Sequence, residues 1–234
     1  MQERVLQQIF KEVSIWVYEQ SGIEIPEQCI KVNLYKNPHG AFSVEAKLAY
    51  RGPLRQKTNF PRIKMDLTSH EKVVLPPEKR AIFHNYSDRP NDPTLVLSYC
   101  YEEIFAEKLR ALAERARPRD LYDVIHLYEE RYRISDKGRF LKSLSAKCEF
   151  KKVPVPTLEL IKRHPQRAIL LSEWDNMLKH QLSDLRPFEY FWERLPELFI
   201  WISKDTGHSR LSPPQGKEEY KNALEYLQKL QKKE

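Results

Sequence analysis

Glycine is scarce in this chain of 234 residues, with six in all and none in a GxGxxG or Walker-type loop. The common glycine-built phosphate cradles of dinucleotide-binding and P-loop proteins are therefore excluded. Cysteine is scarcer still. Cys29, Cys100 and Cys148 are odd in number and far apart, so they form neither a disulfide framework nor a zinc pattern. The seven histidines show no paired metal-ligand spacing. No apolar run approaches the roughly 18 residues that cross a bilayer. The opening MQERVLQQIFKEV is broken by charges and lacks the apolar region of a signal peptide. These absences predict a soluble, cytoplasmic protein in a reducing compartment, with no membrane partner.

Hydrophobic residues make up 41% and aromatic residues 11% of the chain, enough to bury a core. The net charge of +7 is spread along it. Residues 1–100 hold 14 Lys/Arg against 11 Asp/Glu, and residues 101–234 hold 26 against 22. Such a balance serves solubility as readily as binding to a polyanion, and only local clustering decides between them.

Two regions differ in pattern, which predicts domains at 1–100 and 101–234. Val5, Ile9, Val13 and Trp16, with Leu6, Phe10 and Val17 alongside, predict one amphipathic helix that stops at Gly22. Cys29–Tyr35 and Ala41–Tyr50 alternate apolar and polar residues around the turn Asn37-Pro-His-Gly40, which predicts a hairpin. Gly52-Pro53 ends it, and Phe60–Leu67 reads as a third strand. Short β-like pieces follow near Val73–Leu75, Ala81–His84 and Thr94–Ser98. From Tyr101 the period becomes helical. One helix ends before Pro118, because the residue preceding a proline is pushed out of the helical region, and Pro118 opens the next. Pro187–Ser203 is aromatic and helical with an interruption at Pro196, and its stripe reads as core. After the loop Ser212-Pro-Pro-Gln-Gly216, a last helix carries Tyr220, Leu224, Leu227 and Leu230.

Two constellations are able to carry chemistry. Lys64 and Asp66 lie two apart in a strand, hence on one face. Such a pair can bind Mg²⁺ and phosphate, or it can be an exposed ion pair. The second is the concentration of charge from Lys108 to Arg119, with Lys108, Arg110, Arg115, Arg117 and Arg119 against the single acid Glu114. Lys108 and Arg115 are seven apart and share a helix face, and Arg119 is spaced to reach Asp123 across one turn. Asp120 and Asp123 sit at the start of the helix opened by Pro118, where carboxylates are favoured in any case. The stretch reads either as a stabilised helix junction or as a basic platform for a triphosphate or an RNA backbone.

Taken in order, Ile63-Lys-Met-Asp66-Leu-Thr-Ser-His-Glu71, Tyr101-Glu-Glu-Ile-Phe-Ala-Glu-Lys108-Leu-Arg-Ala-Leu and Arg115-x-Arg-Pro-Arg-Asp120-Leu-Tyr-Asp123 resemble the AbiEii/AbiGii toxin family of nucleotidyltransferases. The resemblance covers most of the chain. It implies an α+β fold, a nucleotidyltransferase-like mixed sheet followed by a helical C-terminal domain. It further implies transfer of nucleotides from an NTP to an RNA, the 3′ end of tRNA, within an abortive-infection or toxin–antitoxin system that includes a cognate antitoxin. Mg²⁺ chemistry of the two-metal kind goes with it. By the same resemblance Asp66 is a metal ligand or the base for the acceptor hydroxyl, and Lys108 grips the triphosphate. Asp123, with Asp120, orients the lysine or the nucleotide. Lys64, Arg110, Arg115, Arg117 and Arg119 add contacts to phosphate or RNA.

The family's first motif, a Gly-Ser pair with an Asp-x-Asp or Asp-x-Glu strand after it, has no counterpart here. The chain contains no Gly-Ser pair, and Asp88 and Asp92 flank Pro90 downstream of Asp66. The sequence is thus expected to begin one motif late and to expose a sheet edge. Two expectations follow: an active enzyme with a longer natural N-terminus, or a catalytically inactive member that binds nucleotide, RNA or antitoxin.

Overall fold

The computed structural model describes residues 2–36, 42–52, 59–68, 71–87 and 89–204. The expected turn at Asn37–Gly40, Pro53, Asp88, the loop at 212–216 and the final helix lie outside the described residues. The architecture is α+β and divides into two compact units, Met1–Lys72 and Val73–Glu234.

In the first unit, helix α1 (Gln2–Ser21) stops where Gly22 takes φ +68°, a left-handed conformation that costs glycine nothing. Strands β1 (Ile30–Lys36), β2 (Phe42–Ala49) and β3 (Arg62–Thr68) form an antiparallel sheet in the order β1-β2-β3. Alternation divides each strand between two faces. Val32, Val44, Ala46 and Leu48 are buried with Phe10 and Ile25, while Lys64 and Asp66 of β3 stand in solvent. The helix is rotated from the sequence expectation. Leu6, Phe10 and Val17 pack on the core, whereas Val5, Ile9, Val13 and Trp16 remain 40–61% exposed. The apolar arc of α1 is wider than a three-stranded sheet covers.

In the second unit, β4 (Glu78–Ala81) pairs antiparallel with β5 (Leu95–Ser98). Every strand pairing among the described residues is antiparallel, whereas the resemblance implies a mixed sheet. Residues 73–75 form no strand. The N–H groups of Val74 and Leu75 donate instead to the Glu103 carboxylate, at 3.0 and 3.1 Å. Helices follow: α2 (Tyr101–Arg115), α3 (Pro118–Glu129), α4 (Lys137–Lys151), α5 (Leu158–Lys162), α6 (Arg167–Ser172), α7 (Trp174–Leu178), α8 (Phe188–Trp192) and α9 (Leu195–Ser203). Pro196 falls in the first turn of α9, where its missing N–H costs nothing, so the aromatic stretch is two helices. Phe105, Leu109 and Leu112 of α2 and Leu121, Val124 and Ile125 of α3 are wholly buried, with Phe140, Leu195 and Leu198 beside them. As read from its spacing, the aromatic stripe is core: Phe188 and Phe191 are buried. No helix among the described residues is long and apolar enough to cross a membrane.

Candidate functional site

The basic stretch sits where α2 hands over to α3. Helix α2 ends at Arg115, Ala116 takes a left-handed φ of +43°, and Pro118 opens α3. Residues other than glycine rarely adopt that conformation, and it persists because neighbouring contacts hold it. One such contact is made by Arg115. Its guanidinium donates to both carboxylate oxygens of Asp120, each at 2.7 Å, and Asp120 is wholly buried. The paired geometry holds the Arg115 pKa above its usual value, with the hydrogen bond to Asp120 as the main cause. Asp120 is thus a clasp between the helices.

With α2 and α3 clasped, Lys108 reaches Asp123. Its Nζ donates to Oδ2 at 2.6 Å, and the two side chains are 36% and 31% exposed. The carboxylate therefore faces Lys108 rather than Arg119. Arg117 and Arg119 are exposed, and neither forms an ion pair among the described residues. Three neighbouring positions thus differ in kind: Arg115 is committed, while Arg117 and Arg119 project into solvent.

Arg110 has a different setting from the other basic residues. It is buried, with Nε and Nη2 on Glu107 at 3.3 and 2.7 Å and Nη1 on Glu114. Burial opposes its charge, but the two carboxylates override this and raise its pKa. Glu107 also faces Lys147 at 3.4 Å, and Lys147 holds Glu103 at 2.8 Å. Lys147 and Glu103 are almost fully buried, and Ser143 donates to Glu103 at 2.8 Å. This internal chain of charges braces the back of α2 against α4. Neither Glu103 nor Lys147 was identifiable from sequence, because most of their partners lie 28 or more residues away in the chain.

In the first unit, the period of two puts Lys64 and Asp66 on one face as expected, with Nζ 3.7 Å from Oδ1. The closer partner is Glu45, which sequence reasoning missed. It is the register partner of Asp66 on β2, and Lys64 Nζ lies 2.8 Å from its Oε2. Lys47 approaches the same carboxylate at 2.5 Å. Lys47 first and Lys64 second hold the Glu45 carboxyl at about 2, well below its usual range. Its place beside Asp66 depends on strand register, which no local sequence pattern reveals.

Mg²⁺ demands near-octahedral oxygen coordination. At Asp66 the available set is two carboxylates, with a lysine ammonium lodged against both. Among the described residues no group of three or more His, Cys, Asp or Glu side chains is placed to hold a metal ion. Among the described residues the donors around Asp66 do not fit a two-metal centre. A cleft of about 590 Å³ is lined by Ala113, Glu114, Val153, Leu160 and His164, and neither Lys108 nor Asp123 borders it.

Compared with known protein families, residues 6–195 match the model described as nucleotidyl transferase AbiEii toxin, type IV toxin–antitoxin system. No curated protein and no solved structure matches the chain.

Proposed function

The chain belongs to the nucleotidyl transferase AbiEii toxin family, and on that premise we propose that it transfers a nucleotide from an NTP to the 3′ end of an RNA, with tRNA as acceptor. The observation that carries this reading is the Lys108–Asp123 pair, one-third exposed at the junction of two clasped helices. An ammonium in that position binds phosphate oxygens as a point charge. Asp123 holds it in place through a 2.6 Å hydrogen bond, and Arg115 with Asp120 fixes the two helices that present the pair. Arg117 and Arg119 contact phosphate or the RNA backbone. Arg110 acts from within, since both ends of its guanidinium are already satisfied by carboxylates. We assign the acceptor hydroxyl to Asp66, beside Lys64. A nucleotidyltransferase-like arrangement of the first unit, an antitoxin partner and a cytoplasmic setting accompany this reading.

The test is incubation of the protein with α-labelled NTPs and total tRNA, reading label in the RNA. Wild type incorporates label, and Lys108→Ala and Asp66→Ala do not. Full incorporation by either variant overturns the assignment. A second reading, binding of NTP or RNA without transfer, is favoured by the donor set around Asp66, which does not fit a metal pair. It predicts salt-sensitive binding with no label in the RNA.

A further inference from the structure

Helix α3 presents a stripe that lies outside the Arg115–Asp120 clasp and meets the core only through Tyr122. Helical spacing sets Arg119, Tyr122, Asp123 and His126 on one side. Leu121, Val124, Ile125 and Tyr128 occupy the buried side. The rings of Tyr122 and His126 are stacked, 5° from parallel with centroids 6.0 Å apart. Tyr122 in turn leans on Phe191 at 5.3 Å, and Phe191 is buried, so the ring pair is anchored to the core. The His126 side chain remains 51% exposed. An aromatic face fixed from behind and wet in front is a stacking platform for a nucleobase, whatever the base.

The remainder of the stripe is ordered by charge. Next to the platform is Asp123, whose Oδ2 takes Lys108; a ribose hydroxyl can donate to Oδ1. At the far end Arg119 is exposed, with Arg117 beyond it. The platform end carries Glu130, 4.0 Å from His126 and paired with Arg133 at 2.9 Å. Arg117 and Arg119, exposed and without an acidic partner among the described residues, attract phosphates to that end, whereas the arginine at the His126 end is already paired with Glu130. From residue 119 to residue 126 the helix rises by about 10 Å, comparable with the reach of a nucleoside triphosphate from base to terminal phosphate.

Resting on the reading of Lys108 as a phosphate ligand, we propose that the NTP lies along α3, its base stacked on His126, its ribose at Asp123 and its phosphates running past Lys108 to Arg119. His126 then contacts the half of the substrate that the basic motif does not, and Tyr122 is the positioning residue that holds its ring.

The experiment measures affinities of the full chain for each of the four NTPs and for inorganic tripolyphosphate, by calorimetry. The variants are Lys108→Ala, Arg119→Ala, His126→Ala and His126→Phe. Stacking of one base supports a loss of about tenfold in NTP affinity for His126→Ala, with tripolyphosphate affinity unchanged. His126→Phe restores NTP binding, because a phenyl ring stacks without charge. Arg119→Ala weakens NTP and tripolyphosphate together. If Lys108→Ala abolishes binding while His126→Ala changes nothing, or weakens both ligands equally, the placement of the base is wrong and the phosphate reading stands. If wild type binds neither ligand, or if Lys108→Ala leaves both affinities intact, the phosphate reading fails and this inference fails with it.

Discussion

Arg115 and Asp120 are joined by two parallel hydrogen bonds of 2.7 Å, with the carboxylate wholly buried and the guanidinium partly in solvent. The pair spans the chain reversal at Ala116 and so determines where α3 meets α2, and with it where Asp123 meets Lys108.

Removing Arg115 leaves a buried carboxylate without its partner. Breaking such a pair costs about 3 kcal/mol. Arg115→Ala is therefore expected to lower the thermal midpoint by many degrees. Arg115→Ala combined with Asp120→Asn recovers part of the loss, because the stranded charge is gone. Equal midpoints for wild type and Arg115→Ala in a melting series would show that the clasp is not structural.

Glu103 gives the second unit an acid-sensitive brace. Burial opposes its ionisation, but Lys147, the Val74 N–H and the Ser143 hydroxyl override this and lower its pKa below 4.5. A lowered folded-state pKa contributes stability that is complete above the unfolded value and is lost as pH falls through the folded one. Wild type is thus expected to lose stability as pH drops below about 4.5. Glu103→Gln should start less stable at pH 7 and show a flatter slope in that range, as read by urea unfolding across pH. A slope identical to wild type contradicts the role given to this carboxylate.

On β2 and β3 the ion cluster is exposed, so its signature is a titration rather than stability. Glu45 is expected to titrate at about 2. Lys64→Ala should move it upward, with Lys47 retaining part of the shift. Carboxyl carbon chemical shifts followed over pH read this directly, and an unmoved Glu45 would remove Lys64 from the cluster.

Arg117 and Arg119 are exposed and carry the proposed contact with the RNA backbone. Each phosphate contact contributes about one unit to the slope of log affinity against log salt. Arg117→Ala and Arg119→Ala should each flatten that slope for tRNA by about one and weaken binding to all sequences alike. A slope unchanged in both variants places the RNA elsewhere.

Much of the framework was legible in the sequence, and the reasons are local. Gly22, Pro118 and Pro196 mark boundaries through their own backbone limits, alternation gave β1 and β2, and the run Phe60–Leu67 gave β3. The stretch at 73–75 misled because its apolar residues resemble a strand, while its N–H groups are taken by Glu103, a partner 28 or 29 residues away. The face of α1 misled because two apolar stripes adjoin and the sheet covers one of them. At the site, spacing brought out Lys108, Asp120 and Asp123, yet it paired Asp123 with Arg119 across a turn. The structure gives it Lys108 from the neighbouring helix, a contact fixed by packing. Glu45 and His126 were invisible for the same reason: one depends on strand register, the other on a ring in the same helix that is itself anchored by α8.

Lys108, presented by Asp123, is the residue proposed to bind the triphosphate. An ion pair about one-third exposed contributes on the order of 1 kcal/mol to stability, so Lys108→Ala is expected to melt within a few degrees of wild type and its binding can be compared fairly. Hydrogen bonds to a charged group are worth about 1.5–3 kcal/mol when one partner is lost. The most direct measurement is the dissociation constant of an NTP for wild type and Lys108→Ala, with folding verified by melting. A weakening of about tenfold or more is expected in the variant. An unchanged dissociation constant in a folded Lys108→Ala protein would contradict it.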